Sequence, residues 1–219
     1  MMGLAKILDF PFNVINNFKL FPFKIAIKFP IYFSRNVGIV KAKRGSIVFN
    51  SRITKYMVRY GSYGSPFINS NKAFLQIDND GKIIFNGSAT FAQGNRLYIS
   101  GGTLEVGNNV YINKNLILQC ERNIQLGDNT LLGWNISIRD TDGHKVTINE
   151  NGSNDTKQIV IEKNSWIASD VTILKGSVVP QGSIVACNSV VVGTKFDEEN
   201  ILIAGYPAKE KRRNVKRIS

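Results

Sequence analysis

The stretch IEKNSWIASDVTILKGSVVPQGSIVACNSVV (Ile161–Val191) repeats an aliphatic residue at every sixth position: Ile161, Ile167, Ile173, Val179, Val185 and Val191. Four places after most of these stands a small or β-branched residue, namely Ser165, Val171, Ser177, Ser183 and Ser189. An amphipathic helix repeats about every 3.6 residues and cannot carry such a pattern. A parallel β-helix can, because each hexad supplies one short strand and one turn while its aliphatic side chain enters a stacked core. Three hexads make one triangular coil.

The same rule extends N-terminally through Val106-Gly107, Ile112-Asn113 and Leu118. It shifts once by two residues near Ile124 and Leu126, then continues through Leu126-Gly127, Leu132-Gly133 and Ile138. The expected fold class is all-β: a left-handed parallel β-helix with a short helical or irregular N-terminal segment and a basic C-terminal tail. Residues 1–35 read as short pieces divided by Pro11, Pro22 and Pro30, and 36–208 as the β-helix. Within the latter, Ile47 to Tyr98 reads as irregular starting coils, since terminal repeats are usually atypical. Residues 139–158 break the pattern. Asn149, Asn151, Gly152, Ser153, Asn154 and Asp155 are turn formers, so this segment is expected to project as a loop from one corner. Ile201 to Ala208 reads as a closing strand, and 209–219 as a basic tail, helical or frayed.

Charge is unevenly placed along the 219 residues, whose formal net charge is +12. Residues 1–60 carry eleven Lys or Arg against one acid, Asp9; residues 209–219 carry six against Glu210; the remainder is slightly acidic. Basic ends suit an acidic partner such as a phosphate-bearing cofactor, an anionic glycan or a membrane surface. No nucleic-acid recognition motif accompanies the charge, so no nucleic-acid partner is expected. In residues 1–35, Lys6, Asp9, Lys19, Lys24 and Lys28 interrupt the apolar residues, so no run reaches the roughly 20 needed to span a bilayer. Two readings of this segment stand side by side: packing on the β-helix, or a peripheral membrane contact with Phe and Ile toward lipid and Lys toward phosphates. Two cysteines, Cys120 and Cys187, in different repeat runs fit a reducing cytoplasm better than a disulfide scaffold.

The only histidine, His144, ends the run Arg139-Asp140-Thr141-Asp142-Gly143-His144, where the pattern breaks. Histidine exchanges protons near neutral pH, and a loop on a rigid scaffold is a usual place for a general base. Asp142 or Asp140 is near enough in sequence to orient the ring. This motif, with Ser165-Trp166-Ile167-Ala168, Ile173-Leu174-Lys175-Gly176, Val185-Ala186-Cys187-Asn188-Ser189 and Ala204-Gly205-Tyr206-Pro207-Ala208-Lys209, resembles the hexapeptide-repeat acyltransferases. In look it is most similar to the coenzyme A-dependent sugar O-acetyltransferases of bacterial polysaccharide and lipopolysaccharide assembly.

That resemblance implies transfer of acetyl from acetyl-CoA to a sugar hydroxyl, with no metal, in a cytoplasmic homotrimer whose sites lie between adjacent solenoids. The acceptor would be a nucleotide- or lipid-linked saccharide, and the enzyme would work free or against the inner face of the membrane. His144 would be the general base, with Asp142 beside it and Asn113 at the acceptor or oxyanion. Asn113-Lys114-Asn115 followed by Glu121 resembles the family's Asn-x-Asn and downstream acid. Trp134, Asp140 and Glu121 would contact the acceptor. Trp166, Ala168, Ser169, Ala186, Cys187, Lys195 and Lys209 would hold the CoA. Ala168 and the Cys187-Asn188 pair depart from the Gly and Ala-Gly that relatives commonly carry there.

Other functions of this fold remain to be weighed. Zinc carbonic anhydrases need three histidines, and this chain has one. A non-catalytic scaffold or glycan-binding β-helix has no use for the DTDGH motif. N-acetyl transfer to an amino sugar differs only in the acceptor pocket.

Overall fold

The computed structural model describes residues 2–144, 146–148, 151–153 and 156–218, with side chains from Ile7 onward except within 145–155. The turn-forming readings of Asn149, Asn154 and Asp155 lie outside the described residues. The chain winds through three parallel sheets that form the walls of one prism. Sheet A runs from the strand Ile31–Phe33 to Leu202–Gly205, sheet B from Val37–Lys41 to Val190–Val191, and sheet C from Ile47–Phe49 to Val178–Val179. The chain passes from A to B to C and back to A, so each turn stacks on the one before. This is a parallel β-helix.

In the last coils Ile167 lies beside Val185 and Val185 beside Ile203, a step of 18 residues or three hexads. Every hexad aliphatic from Val106 to Val191 is buried. Each such side chain contributes about 1.5–3 kcal/mol by leaving water. Towards the N-terminus the coils lengthen and the inward residues grow. In sheet A the inward column reads Phe33, Tyr60, Phe91, Ile112, Leu132, Ile167, Val185 and Ile203. Phe49 and Phe85 start the corresponding column in sheet C, with ring centroids 5.6 Å apart. Rings fill the wider end; aliphatics fill the narrower one.

Asparagine sets the corners. Asn109, Asn129 and Asn164 take left-handed backbone at the corner from C to A, and Asn115, Asn135, Asp170 and Asn188 do so at the corner from A to B. Short polar side chains tolerate that conformation because they bond locally. Here they also bond along the axis: Asn109 donates to Asn129, Asn129 to Asn164, Asn115 to Asn135, and Asn135 to Asp170.

The N-terminal segment departs from expectation. Pro11 does not divide it; helix α1 runs unbroken from Met2 to Leu20. Pro11 stands on the exposed side, where water can reach the carbonyl that its missing N–H would have met. Strand structure also begins at Ile31, ahead of the expected boundary at 36. More unexpected is the orientation of α1. Its buried stripe is polar: Asp9, Asn13 and Asn17 are 4%, 1% and 0% exposed. Asn13 donates to the Phe33 carbonyl and accepts from the Phe33 N–H, and Asn17 does the same with Ile31. Four residues of helix rise about 6 Å, close to the roughly 6.7 Å between alternate residues of a strand. Two asparagine amides can therefore stand in for the strand that the first coil lacks. Leu20, Phe21 and Ala26 plug the open mouth below, with Phe21 against Phe49.

The far end also differs from expectation. Ala208–Arg212 is neither helical nor frayed but forms an antiparallel strand on Leu202–Gly205. Its Lys209, Glu210, Lys211 and Arg212 are exposed, and charges on a last strand discourage further pairing.

Replacing Asn13 by Ala strands the Phe33 N–H and carbonyl, so Asn13→Ala should cost about 1–3 kcal/mol. Asn16→Ala, on the neighbouring half-exposed position, should stay within about 0.5 kcal/mol of wild type. Denaturant unfolding of the two variants distinguishes an edge-capping helix from one that merely lies on the surface.

Candidate active site

The DTDGH segment leaves the corner between sheets B and C. That corner is the elaborated one in the preceding coil too: Leu118 to Leu126 spans eight residues where a hexad rule requires six. The surplus residues turn the amides of Glu121, Arg122 and Asn123 toward the next coil. Asp140 meets them. Its carboxylate accepts from Glu121 N–H at 2.8 Å, Arg122 N–H at 2.8 Å and Asn123 N–H at 2.9 Å, and the residue is fully buried. Thr141, also buried, donates to Glu121 Oε2 at 3.0 Å, and Gln119 donates to Glu121 Oε1 at 3.0 Å. The projecting segment returns at Lys157, whose N–H donates to the Asp140 carbonyl. Between exit and return lies a short antiparallel strand pair, Val146–Ile148 with Asn151–Ser153, where only a loop was expected.

This stem presents His144 in an exposed position. Gly143 before it has φ +75°, a conformation that costs a residue with a Cβ, so the motif's glycine is needed for backbone reasons. Asp142 is exposed and its carboxylate is paired with Lys175 Nζ at 2.6 Å. Neither Asp142 nor Asp140 is hydrogen-bonded to the imidazole among the described residues. The reading of Asp140 as an acceptor contact is corrected by its burial: its carboxylate anchors the stem and is closed to substrate. Lys175 was not legible as a partner, because it comes alongside Asp142 only through the pairing of Arg139 with Leu174.

A second column occupies the corner between sheets A and B. Asn113, Trp134, Ala168, Ser169, Ala186 and Cys187 follow successive sheet A strands and stack along the axis. Gly133 permits the stacking, since a Cβ there would come within 2.8 Å of the Ser169 N and Oγ. Trp134, Ala168, Ser169 and Ala186 are half-buried, and Cys187 is exposed. Asn113 has a duty of its own: its Oδ1 accepts from Ser65 N–H at 3.0 Å and Lys114 N–H at 2.9 Å. Lys114 donates to the Ile68 carbonyl, and Asn115 donates to the Asn69 carbonyl while accepting from Asn71 N–H. Asn113-Lys114-Asn115 thus straps the 63–72 loop to this edge, and the Asn113 amide nitrogen is the end left to act as donor.

Trp166 lies off the corner, on the outer face of sheet A. It continues a half-buried apolar row of Tyr111, Leu131, Trp166, Ile184 and Leu202 in matched register. Lys209 is exposed on the closing strand beside Ala204, and exposed Lys195 bridges to Val178 past the last B–C corner. Cys120 is buried, donates to the Thr103 carbonyl, and has its thiol pushed up by burial and by Asp140. It is unsuited to nucleophilic attack.

Apart from Trp166 on the face of sheet A and Lys209 on the closing strand, the predicted residues fall on the two edges of sheet B. Between the two edges the chain crosses sheet B in the strand Ile117–Cys120, which with its flanking residues spans somewhat under roughly 20 Å. No hydrogen bond or ion pair joins the two groups among the described residues.

The fold and this motif set define a class, and comparison with known proteins bears on it. No family model matches the sequence. The chain is 32% identical over 111 residues to the galactoside O-acetyltransferase of Escherichia coli (strain K12), covering 50% of this chain and 53% of that one. It spans about half the length of the two galactoside O-acetyltransferases it matches. It is 30% identical over 144 residues to WbbJ of Escherichia coli (strain K12), a protein assigned to lipopolysaccharide biosynthesis as an O-acetyl transferase, and covers 72% of it. With a 24.8 kDa protein of the cps region of Klebsiella pneumoniae it shares 31% identity over 198 residues, 90% of this chain and 86% of that one. The structure of the polySia-specific acetyltransferase NeuO superposes with a TM-score of 0.54 at 23% identity, covering 85% of this chain and 89% of that one, and shows the same fold. The β-helix is left-handed. The chain belongs to the hexapeptide-repeat acyltransferase family.

Two substitutions check the stem. Asp140→Ala removes three charge-assisted bonds and should lower stability by about 3 kcal/mol. Asp142→Ala breaks only a half-exposed pair and should cost under about 1 kcal/mol. Equal losses in denaturant unfolding would overturn the assignment of Asp140 as the anchor.

Proposed function

We propose that this chain transfers an acetyl group from acetyl-CoA to a hydroxyl of a saccharide used in surface polysaccharide or lipopolysaccharide assembly, in the cytoplasm. The carrying observation is the stem: a buried aspartate tied to three amides holds an exposed histidine at one edge of a rigid wall. His144 takes the acceptor hydroxyl proton as the oxygen attacks the thioester carbonyl, and returns it to the departing CoA sulfur. No covalent acyl-enzyme is involved; the buried Cys120 and the distance of Cys187 from the stem agree with direct transfer. Asp142, paired with Lys175, sets the charge beside the imidazole. Asn113 offers its amide N–H to the acceptor or the developing oxyanion. Glu121, held by Thr141 and Gln119, borders the acceptor.

The donor lies along the other corner. Half-buried Ala168, Ser169 and Ala186 and exposed Cys187 give it a shallow track of small residues, with Trp134 beside it; Lys209 on the closing strand, and Lys195 from the B–C corner of the adjoining chain, would meet its phosphates. Because the two columns stand a wall apart, a working site takes the stem from one chain and the track from the next. A homotrimer supplies that arrangement at three equivalent seams. The apolar row through Trp166 on sheet A is the surface on which the chains would meet. The saccharide acceptor is supported by the names of the galactoside and lipopolysaccharide relatives.

Acetyl-CoA at a hundredfold its dissociation constant should stabilise the protein by about 2.7 kcal/mol in thermal unfolding. It should also protect exposed Cys187 from a thiol reagent, buried Cys120 serving as the unreactive control. His144→Ala should lower turnover by about 10²–10⁴-fold with an unchanged unfolding midpoint. Neither stabilisation nor protection by millimolar acetyl-CoA would overturn the donor assignment, and near-wild-type turnover in the variant would overturn the base.

A further inference from the structure

The orientation of α1 leaves an uncovered apolar surface. Its polar stripe is spent on the edge of the first coil, so its apolar residues face outward: Ile7, Phe10 and Ile15 are 68%, 55% and 65% exposed, with Leu8 and Phe12 also exposed. The surface continues onto α2, Phe23–Ala26, and the turn after it, where Phe23 and Ile27 are exposed. Phe10 stacks on Phe29, and Phe18 meets both Phe23 and Phe29, so the two helices form one aromatic platform. A surface helix normally does the reverse and buries its apolar stripe.

Charge says what this platform meets. Lys19 and Lys24 are exposed on the same helices and Lys28 on the turn after α2, and Arg44, Arg52 and Lys55 are exposed on the first coil beside them. The only acid among residues 1–60, Asp9, is buried; it accepts from the Tyr32 hydroxyl and the Arg35 N–H. Among the described residues none of these six cations is in an ion pair; the exposed carboxylate of Asp80, in the next coil, pairs with Lys43 instead. A second copy seated here would bring the same cations face to face. A bilayer surface with anionic headgroups offers both an apolar layer for the phenylalanines and isoleucines and phosphates for the lysines. Among the described residues no helix is long and apolar enough to cross a membrane, so the contact is one that lies in the interface.

We propose that the N-terminal end of the β-helix docks on an anionic lipid bilayer through the outward face of α1 and the α2 platform. This contact is independent of the acyl-transfer reading, since none of its residues belongs to either edge of the candidate active site. In the docked state the β-helix stands with its first coil toward the headgroups.

The test is flotation of the full-length protein with vesicles of phosphatidylcholine alone and with vesicles containing about a third phosphatidylglycerol. Tighter binding to the anionic vesicles, by about tenfold or more and weakened by salt, is expected. Phe10→Ser combined with Ile15→Ser should reduce anionic-vesicle binding about tenfold, and so should Lys24→Glu combined with Lys28→Glu. Lys24→Glu with Lys28→Glu should unfold as wild type, Phe10→Ser with Ile15→Ser, which gives up the Phe10–Phe29 stack, should stay folded, and the affinity of both for acetyl-CoA should be unchanged. The proposal fails if the wild type does not float with anionic vesicles, floats equally with neutral ones, or is matched by either variant. It fails too if Phe10→Ser with Ile15→Ser lowers the sedimentation mass, which would make the platform a contact between copies.

Discussion

Everything in this molecule depends on the parallel backbone ladder between one coil and the next. Each strand is only two to six residues long and has no stability of its own. It becomes stable because its amides bond to the coils on both sides while its inward residue stacks on the inward residues above and below. That constraint dictates the corners. A coil can add residues only where the chain turns, and the added amides must then be satisfied from a neighbouring coil. At the corner between sheets B and C the duty falls to Asp140. The same corner carries the projecting segment and His144, so the chemistry is placed where the scaffold already departs from its minimum coil.

A ladder also has two ends, and an open edge invites pairing with another chain. The two ends are closed by different means. At the C-terminus the chain reverses and lays a charged antiparallel strand along its own last coil. At the N-terminus a helix takes the place of a strand, and two asparagines four residues apart reproduce the spacing of a ladder. The helix solution has a cost: the polar stripe is consumed, and what remains faces outward.

The coils from Val106 to Val191 were legible because their corners are short, so nothing disturbs the six-residue period. The two-residue shift near Ile124 was legible as well, and marks the corner that Asp140 serves. Ile47 to Tyr98 was legible as irregular starting coils but not in its register, since Phe33, Tyr60, Phe91, Phe49 and Phe85 occupy inward positions at irregular intervals. The duty of Asp9, Asn13 and Asn17 was not legible, because a stripe of polar residues along a helix carries no mark of what it bonds to. At the candidate site His144 could be singled out, whereas the roles of Asp140 and Asp142 could not be told apart. Both are carboxylates in one motif, and only burial and partners separate an anchor from an exposed charge. The loop strapped by Asn113-Lys114-Asn115 was likewise invisible, as its contacts run across more than forty residues.

Repetition turns this scaffold into a ruler. Adjacent strands in a sheet are about 4.8 Å apart, and the stem that carries His144 follows the fifth strand of sheet B counted from the N-terminal cap. Four such intervals set His144 about 19 Å above the first coil. The asparagines of α1 bond to the first coil and the closing strand pairs with the last, so a coil inserted or deleted between them would leave both sets of bonds intact. Such a change would move the histidine by one interval at a time. The height at which this chain works above whatever its basic end rests on is therefore a counted quantity, adjustable in whole steps and resistant to anything smaller.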